Sequence, residues 1–364
     1  MTAPTILAAQ QLSATRGTRR RRVGGVLVLL ALLAGGVVAS LAIGAHWLPP
    51  GQLAAALSER FVTDPATIAA MSPDRAARND AALTVQSLRL PRTLIAIVAG
   101  AALGTAGALI QGHTRNPIAD PGLLGVNAGA AFAMVTAISV LGLGAPIQYV
   151  WFALAGAAIA AVIVFGLSGI GTGAMSPLTL ILVGSGISVF LGALTSVTIL
   201  SDSAALNVNR YWNTGSIAGR GYSGLWTTAP LMIGGMAVAF AHARRINVLN
   251  LGDDIARALG TNVIRARLVG VLTLTALAGG ATAACGAIAF LGLIAPHIAR
   301  RVTGPDYRWL VPCAALVGAV LTVYADTAGR IVARPGEIPV GIMLSLIGAP
   351  CFVALALARR MVRI

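Results

Sequence analysis

The sequence predicts an all-α polytopic membrane protein with about ten transmembrane helices. Of its 364 residues, 57% are hydrophobic and only 10% charged. Mean hydropathy is +0.84. The apolar runs are long enough to cross a bilayer, and the basic residues fall in short clusters between them.

The first run, Val23 to about Ala45, follows "TRGTRRRR" and measures roughly 35 Å as a helix. That exceeds the apolar region of a cleaved signal peptide, so an uncleaved span is expected, its basic extension (residues 1–22) held in the cytoplasm. Further spans are expected at about Leu94 to Gly112, Leu123 to Leu143, Tyr149 to Leu167, Leu178 to Leu200, Leu225 to Ala241, Leu268 to Ala289, Phe290 to Val302, Leu310 to Ala325 and Val340 to Leu357. Ten spans place both termini in the cytoplasm and make residues 23–364 one transmembrane domain in the cytoplasmic membrane. Residues 46–88 become an extracytoplasmic loop, in which "FVTDPATIAAMSPDRAARND" reads as solvent-exposed from its Pro, Asp and Arg content. Residues 247–267 form the largest cytoplasmic connection.

The net charge of +15 comes without aromatic interleaving, so nucleic acid is a poor partner and membrane lipid the natural one. Every basic residue is arginine, which excludes the lysine-dependent phosphate loop and hence ATP hydrolysis by that device. Cys285, Cys313 and Cys351 are scattered among apolar residues, and the four histidines have no ligand spacing, so no metal site is expected. The eleven carboxylates all fall in loops or at the ends of expected spans. An ion-coupled transporter or a membrane enzyme keeps an ionisable group at membrane depth, so the chain reads as a path without a power source.

"AGAALGTAGALIQGHTRNPIADPGLLG", from Ala99, matches "AGGATAACGAIAFLGLIAPHIARRVTG", from Ala278, without a gap at Ala, Gly and Pro positions. The copies start five spans apart, so they cross the membrane in opposite directions. That is an inverted internal repeat, as in transporters whose halves move against each other. In "NVLNLGDDIARALGTNVIRARL", Asp253 and Asp254 suit a helix start and Gly260 a helix end, with Ile255, Ala256 and Leu259 as an apolar face. Such a helix either lies on lipid or inserts into a soluble partner.

"RLPR", "NPIADPGLLGVNAGA", "WNTGSIAG", "LGDDIARALG", "GAIAFLGLIAPHIAR" and "EIPVGIMLSLIGAP", in this order from about Leu88 to Ala358, resemble the permease subunits of ATP-binding-cassette importers for iron-siderophore complexes, haem and vitamin B12. The resemblance implies a BtuC-like fold and a permease that is not itself an enzyme and binds no cofactor. Its partners would be a second permease (an identical copy or a paralogue), two cytoplasmic ATPases holding ATP and Mg, and an extracytoplasmic binding protein. The cargo implied is iron-siderophore, with haem or vitamin B12 as alternatives; the reading from another class is an ion-coupled secondary transporter. The basic N-terminal extension and the insert between the first two spans depart from the family.

The resemblance also implies roles for residues. Leu251, Gly252, Asp253, Asp254, Ala256, Arg257, Leu259 and Gly260 form the helix that couples to the ATPase. Met175, Ser176 and Pro177 narrow the inner exit, or form an ordinary tight turn. Gly184, Ser185, Gly186, Ser188 and Ser196 line the path on the fifth span, or serve helix packing. Arg89, Arg92 and Arg330 receive an acidic side chain of the binding protein, where lone arginines would be interfacial anchors.

Overall fold

The computed structural model describes residues 3–44, 47–168 and 177–357. Among them the regular structure is helical: α1 (Ala3–Ala42), α2 (Pro50–Ser58), α3 (Pro65–Ala69), α4 (Pro73–Leu83), α5 (Leu90–Thr114), α6 (Val126–Leu141), α7 (Pro146–Ser168), α8 (Pro177–Ser201), α9 (Ser203–Thr214), α10 (Tyr222–Leu249), α11 (Asp253–Ala258), α12 (Val263–Cys285), α13 (Leu291–Thr303), α14 (Tyr307–Val332) and α15 (Val340–Leu357). Each expected span has its helix. Seven helices of the described residues are long and apolar enough to cross a membrane, and α6 and α15 are shorter apolar helices.

The expected eighth span, Phe290 to Val302, is found as the short helix α13. α13 has only 13 residues, roughly 20 Å of helix, because the chain turns sharply before it. Gly286 (φ 77°) ends α12, and Phe290 (φ 64°) adopts the left-handed conformation at the start of α13. The gap-free repeat therefore does not hold residue by residue: Gly107 and Pro117 sit in mid-helix and in a loop, whereas Gly286 and Pro296 end one helix and lie inside the next. The pattern of packing does exchange between halves, since α5 packs on α13 and α14 while α12 packs on α6 and α7.

α5 and α14 form the centre. From Ala99 to Gly112, α5 is almost wholly buried except at Ala101. Lipid offers no hydrophobic drive for helix association, so close backbone contact must supply the packing energy. Small residues allow it: a Cβ on Gly100 would lie 2.5 Å from the Gly318 carbonyl oxygen, and one on Gly107 1.8 Å from that of Gly292.

The insert is mostly exposed, as expected, but is not a loop throughout: its residues form α3 and most of α4, because Pro65 and Pro73 stand in the first turns of helices. Asp64 caps α3 by accepting from the Thr67 amide at 2.9 Å. The Thr67 hydroxyl and amide hold this carboxylate below its ordinary range. Asn79 pins the insert by accepting from the Val62 amide at 2.7 Å and donating to its carbonyl at 3.0 Å. Beneath it, Leu53, Ala56 and Val85 bury against Leu41 and Ala42 of α1.

The basic cluster before the first span is continuous with α1. Arg21 donates to the Arg301 carbonyl at 2.6 Å and Arg22 to that of Thr303 at 2.8 Å, and Arg22 lies over the Trp309 ring. These contacts satisfy carbonyls at the end of α13, a favourable place for a cation.

Candidate functional site

α5 carries chemistry at both ends. At its start a π-helical turn, Thr84–Arg89, leads into Leu90 and Pro91. Proline is tolerated here because a first-turn amide has no intrahelical acceptor. The turn buries Arg89, which donates to the carbonyls of Leu41 and Ala42 at 2.8 and 2.9 Å. Three residues on, Arg92 faces α14. Its Nε and Nη2 donate to the Asp326 carboxylate at 3.0–3.1 and 2.8 Å, and its Nη1 donates to Glu337 Oε2 at 2.6 Å.

Arg330, one helical turn after Asp326, shares that carboxylate at 3.0 Å. It also donates to the carbonyls of Ser40 and Ile43 and to the Ser40 hydroxyl. The three expected arginines thus meet in one place. The expectation that every carboxylate lies in a loop or at the end of a span is wrong for Asp326, which is 1% exposed inside α14. The helix continues to Val332, and two guanidiniums balance the charge that would otherwise forbid burial.

These residues flank a cavity of about 700 Å³ lined by Arg89, Arg92, Arg330, Glu337, Ser87 and the Gly219–Gly221 turn. That turn adds Arg220, for which no ion pair exists among the described residues. Sequence reasoning missed Arg220, Asp326 and Glu337 as members of the site. The i, i+4 spacing of Asp326 and Arg330 was the available signal; nothing local links Glu337 or Arg220 to Arg92. Among its described lining residues the cavity holds four arginines and one carboxylate, so it can take up anionic groups.

At the other end of α5, Arg115 takes a left-handed conformation (φ 49°) and reaches α11. It donates to the Leu249 carbonyl at 2.6 Å and to Asp253 at 2.5 Å, and Arg267 of α12 donates to the second oxygen of Asp253 at 2.7 Å. Asp253 therefore ties the short helix to two spans. Gly252 (φ 115°) precedes the helix and Gly260 (φ 76°) closes it. The Gly260 amide donates to Arg257 and the Thr261 amide to Ala256, both at 2.9 Å, the two bonds of a Schellman cap.

The expected apolar face splits. Ala256 is buried against Leu249, Val263 and Ala266, while Leu251, Ile255 and Leu259 are exposed. Six helical residues rotate Ala256 inward and leave the larger side chains outside. Among the described residues Asp254 pairs only with the exposed Arg257, at 2.9 Å.

On α8, Ser185 and Ser196 are exposed and Ser188 half-buried, and each donates to the carbonyl four residues back, so the hydroxyls are already satisfied. Gly184 is buried and faces the bundle; Gly186 is exposed. Val189, Phe190, Val197 and Leu200 make the outward surface of α8 apolar. Met175 and Ser176 lie outside the described residues, and Pro177 begins α8. No cluster of three or more His, Cys, Asp or Glu side chains suited to a metal occurs among the described residues.

A family model described as the FecCD transport family matches residues 30–358. The ferric enterobactin transport system permease protein FepD of Escherichia coli (strain K12) is 40% identical over 347 residues, 95% of this chain and 97% of that protein. The hemin transport system permease protein HmuU of Yersinia pestis is 40% identical over 279 residues, 75% of this chain and 83% of that protein. Among solved structures, a metal-chelate type ABC transporter in an inward-facing conformation superposes with a TM-score of 0.77 at 27% identity, over 92% of this chain and 99% of that one.

Proposed function

The chain belongs to the FecCD transport family, and from that premise we propose that it is the membrane-spanning permease subunit of an ATP-binding-cassette importer for an iron-siderophore complex, driven by ATP hydrolysed in partner subunits. The observation that carries this is the match to the ferric enterobactin permease, which spans nearly the whole of both chains. Haem is the second cargo reading, favoured by the equal identity to the hemin permease.

In this reading both termini and α11 face the cytoplasm, and the Arg92 cavity opens outside. Leu251, Ile255 and Leu259 form a knob for the ATPase, which binds the ATP and Mg, and Asp253 transmits its movement to α5 and α12. The apolar outer surface of α8 meets a second permease, identical or paralogous, and the cargo passes between them. Arg92, Arg330 and Arg89 form the pocket in which an acidic side chain of the extracytoplasmic binding protein docks, steered by the arginine excess. In the same reading the turn of Met175, Ser176 and Pro177 narrows the inner exit.

The test is uptake of radiolabelled iron by the importer reconstituted in vesicles with its ATPase and binding protein. ATP-dependent accumulation of a ferric siderophore but not of hemin supports the main reading. Accumulation of hemin alone supports the second, and uptake driven by an ion gradient without the ATPase overturns both.

A further inference from the structure

Arg92 holds two carboxylates on very different terms. Asp326 is 1% exposed and shared with Arg330; removing one partner of such a buried set strands a charge. Glu337 is bound by the remaining nitrogen, Nη1, at 2.6 Å, and its side chain is 37% exposed at the cavity wall. Only the Glu337 side of this pair is open to solvent, Arg92 being 14% exposed, so it is Glu337 that can be exchanged from outside. A carboxylate entering from solvent can therefore replace Glu337 on Arg92, and it cannot replace Asp326.

The peptide around Glu337 is fixed. Ile338 donates from its amide to the Gly329 carbonyl at 3.2 Å, and Gly341 donates to that of Gly215 at 2.9 Å. Exchange then needs only a rotation of the Glu337 side chain. Arg220 lines the same cavity and has no carboxylate of its own among the described residues. It offers a second guanidinium to whatever displaces Glu337.

We infer that Glu337 is an internal stand-in for the binding protein's acidic side chain: it occupies Arg92 while the pocket is empty, and the docking carboxylate displaces it to lie between Arg92 and Arg220. This rests on the docking reading above. It gives the glutamate of "EIPVGI" a role, that of keeping the empty pocket from holding its partner too tightly.

The test uses the importer in nanodiscs, assembled with its ATPase and its own binding protein, with docking affinity measured from low to high salt. Glu337→Gln removes the competitor and keeps the shape, and is expected to tighten docking about two- to fivefold, most at low salt. Arg220→Gln is expected to weaken docking about tenfold. In an Arg92→Gln background the gain from Glu337→Gln should disappear, since the competition is for Arg92.

Unchanged or weaker docking by a Glu337→Gln importer with wild-type thermal stability overturns the stand-in. If that variant is unstable, Glu337→Asp, one methylene shorter and still charged, takes its place: tighter docking supports the inference, and unchanged or weaker docking overturns it. The docking reading fails separately: it is sunk if Arg92→Gln alone docks like the wild type, whatever the Glu337 variants do.

Discussion

The two ends of α5 solve opposite problems with the same residue types. At the Arg92 end, arginines outnumber carboxylates, and the one fully buried acid, Asp326, holds two guanidiniums in place. At the Arg115 end, a single acid, Asp253, is held by two arginines from two spans. The first arrangement leaves arginine charge facing a cavity; the second commits both arginines to one acid in a clamp and leaves Leu251, Ile255 and Leu259 exposed beside it. The difference teaches what each end suits: the first a charged, exchangeable contact, and the second an apolar contact whose displacement reaches the spans through fixed ion pairs.

The largest effect should come from the buried acid. Asp326→Asn leaves Arg92 and Arg330 without their common counter-charge and should destabilise the fold by about 3–5 kcal/mol, read as a lower melting temperature in detergent. A stability equal to wild type would break the contrast between Asp326 and Glu337. Next comes the rod joining the two ends. Gly107→Val drives a side chain into the Gly292 carbonyl and should cost about 1–3 kcal/mol or more, in the same melting assay.

Gly260→Val strains the left-handed cap at φ 76° by about 1–2 kcal/mol. This change is local to α11, so membrane insertion and melting should hold while ATP turnover coupled to transport falls. The smallest effect belongs to Asp254→Asn. Among the described residues Asp254 pairs only with an exposed arginine, and its substitution should leave coupled turnover and melting unchanged, because a screened surface pair holds nothing in place.

Much of this was legible in the sequence, for identifiable reasons. Apolar run length gave the helices, and the bracketing of α11 by Gly252 and Gly260 followed from backbone chemistry that only glycine meets cheaply. The shortness of α13 was legible from its apolar run; the reversal before it was hidden, because it depends on Phe290 adopting a conformation its type rarely takes. At the insert, composition gave the exposure and not the helices, which Asp64, Pro65 and Pro73 start. Of the site, the three arginines could be read, and their acids could not. Arg92 meets Asp326 and Glu337 across 234 and 245 residues of chain, and Arg115 meets Asp253 across 138; such pairings arise only once α5 packs against its neighbours.

The most direct test of the account is Asp253→Asn, with docking of the binding protein and docking-stimulated ATP hydrolysis measured on the same nanodisc sample. The substitution removes the charge that Arg115 and Arg267 share and leaves the Arg92 cavity untouched. Docking affinity should stay at the wild-type value while stimulated hydrolysis drops about tenfold, the loss expected from a charge-assisted contact worth roughly 1.5 kcal/mol. Hydrolysis at the wild-type rate, or docking lost together with hydrolysis, would contradict the division of labour between the two ends of α5.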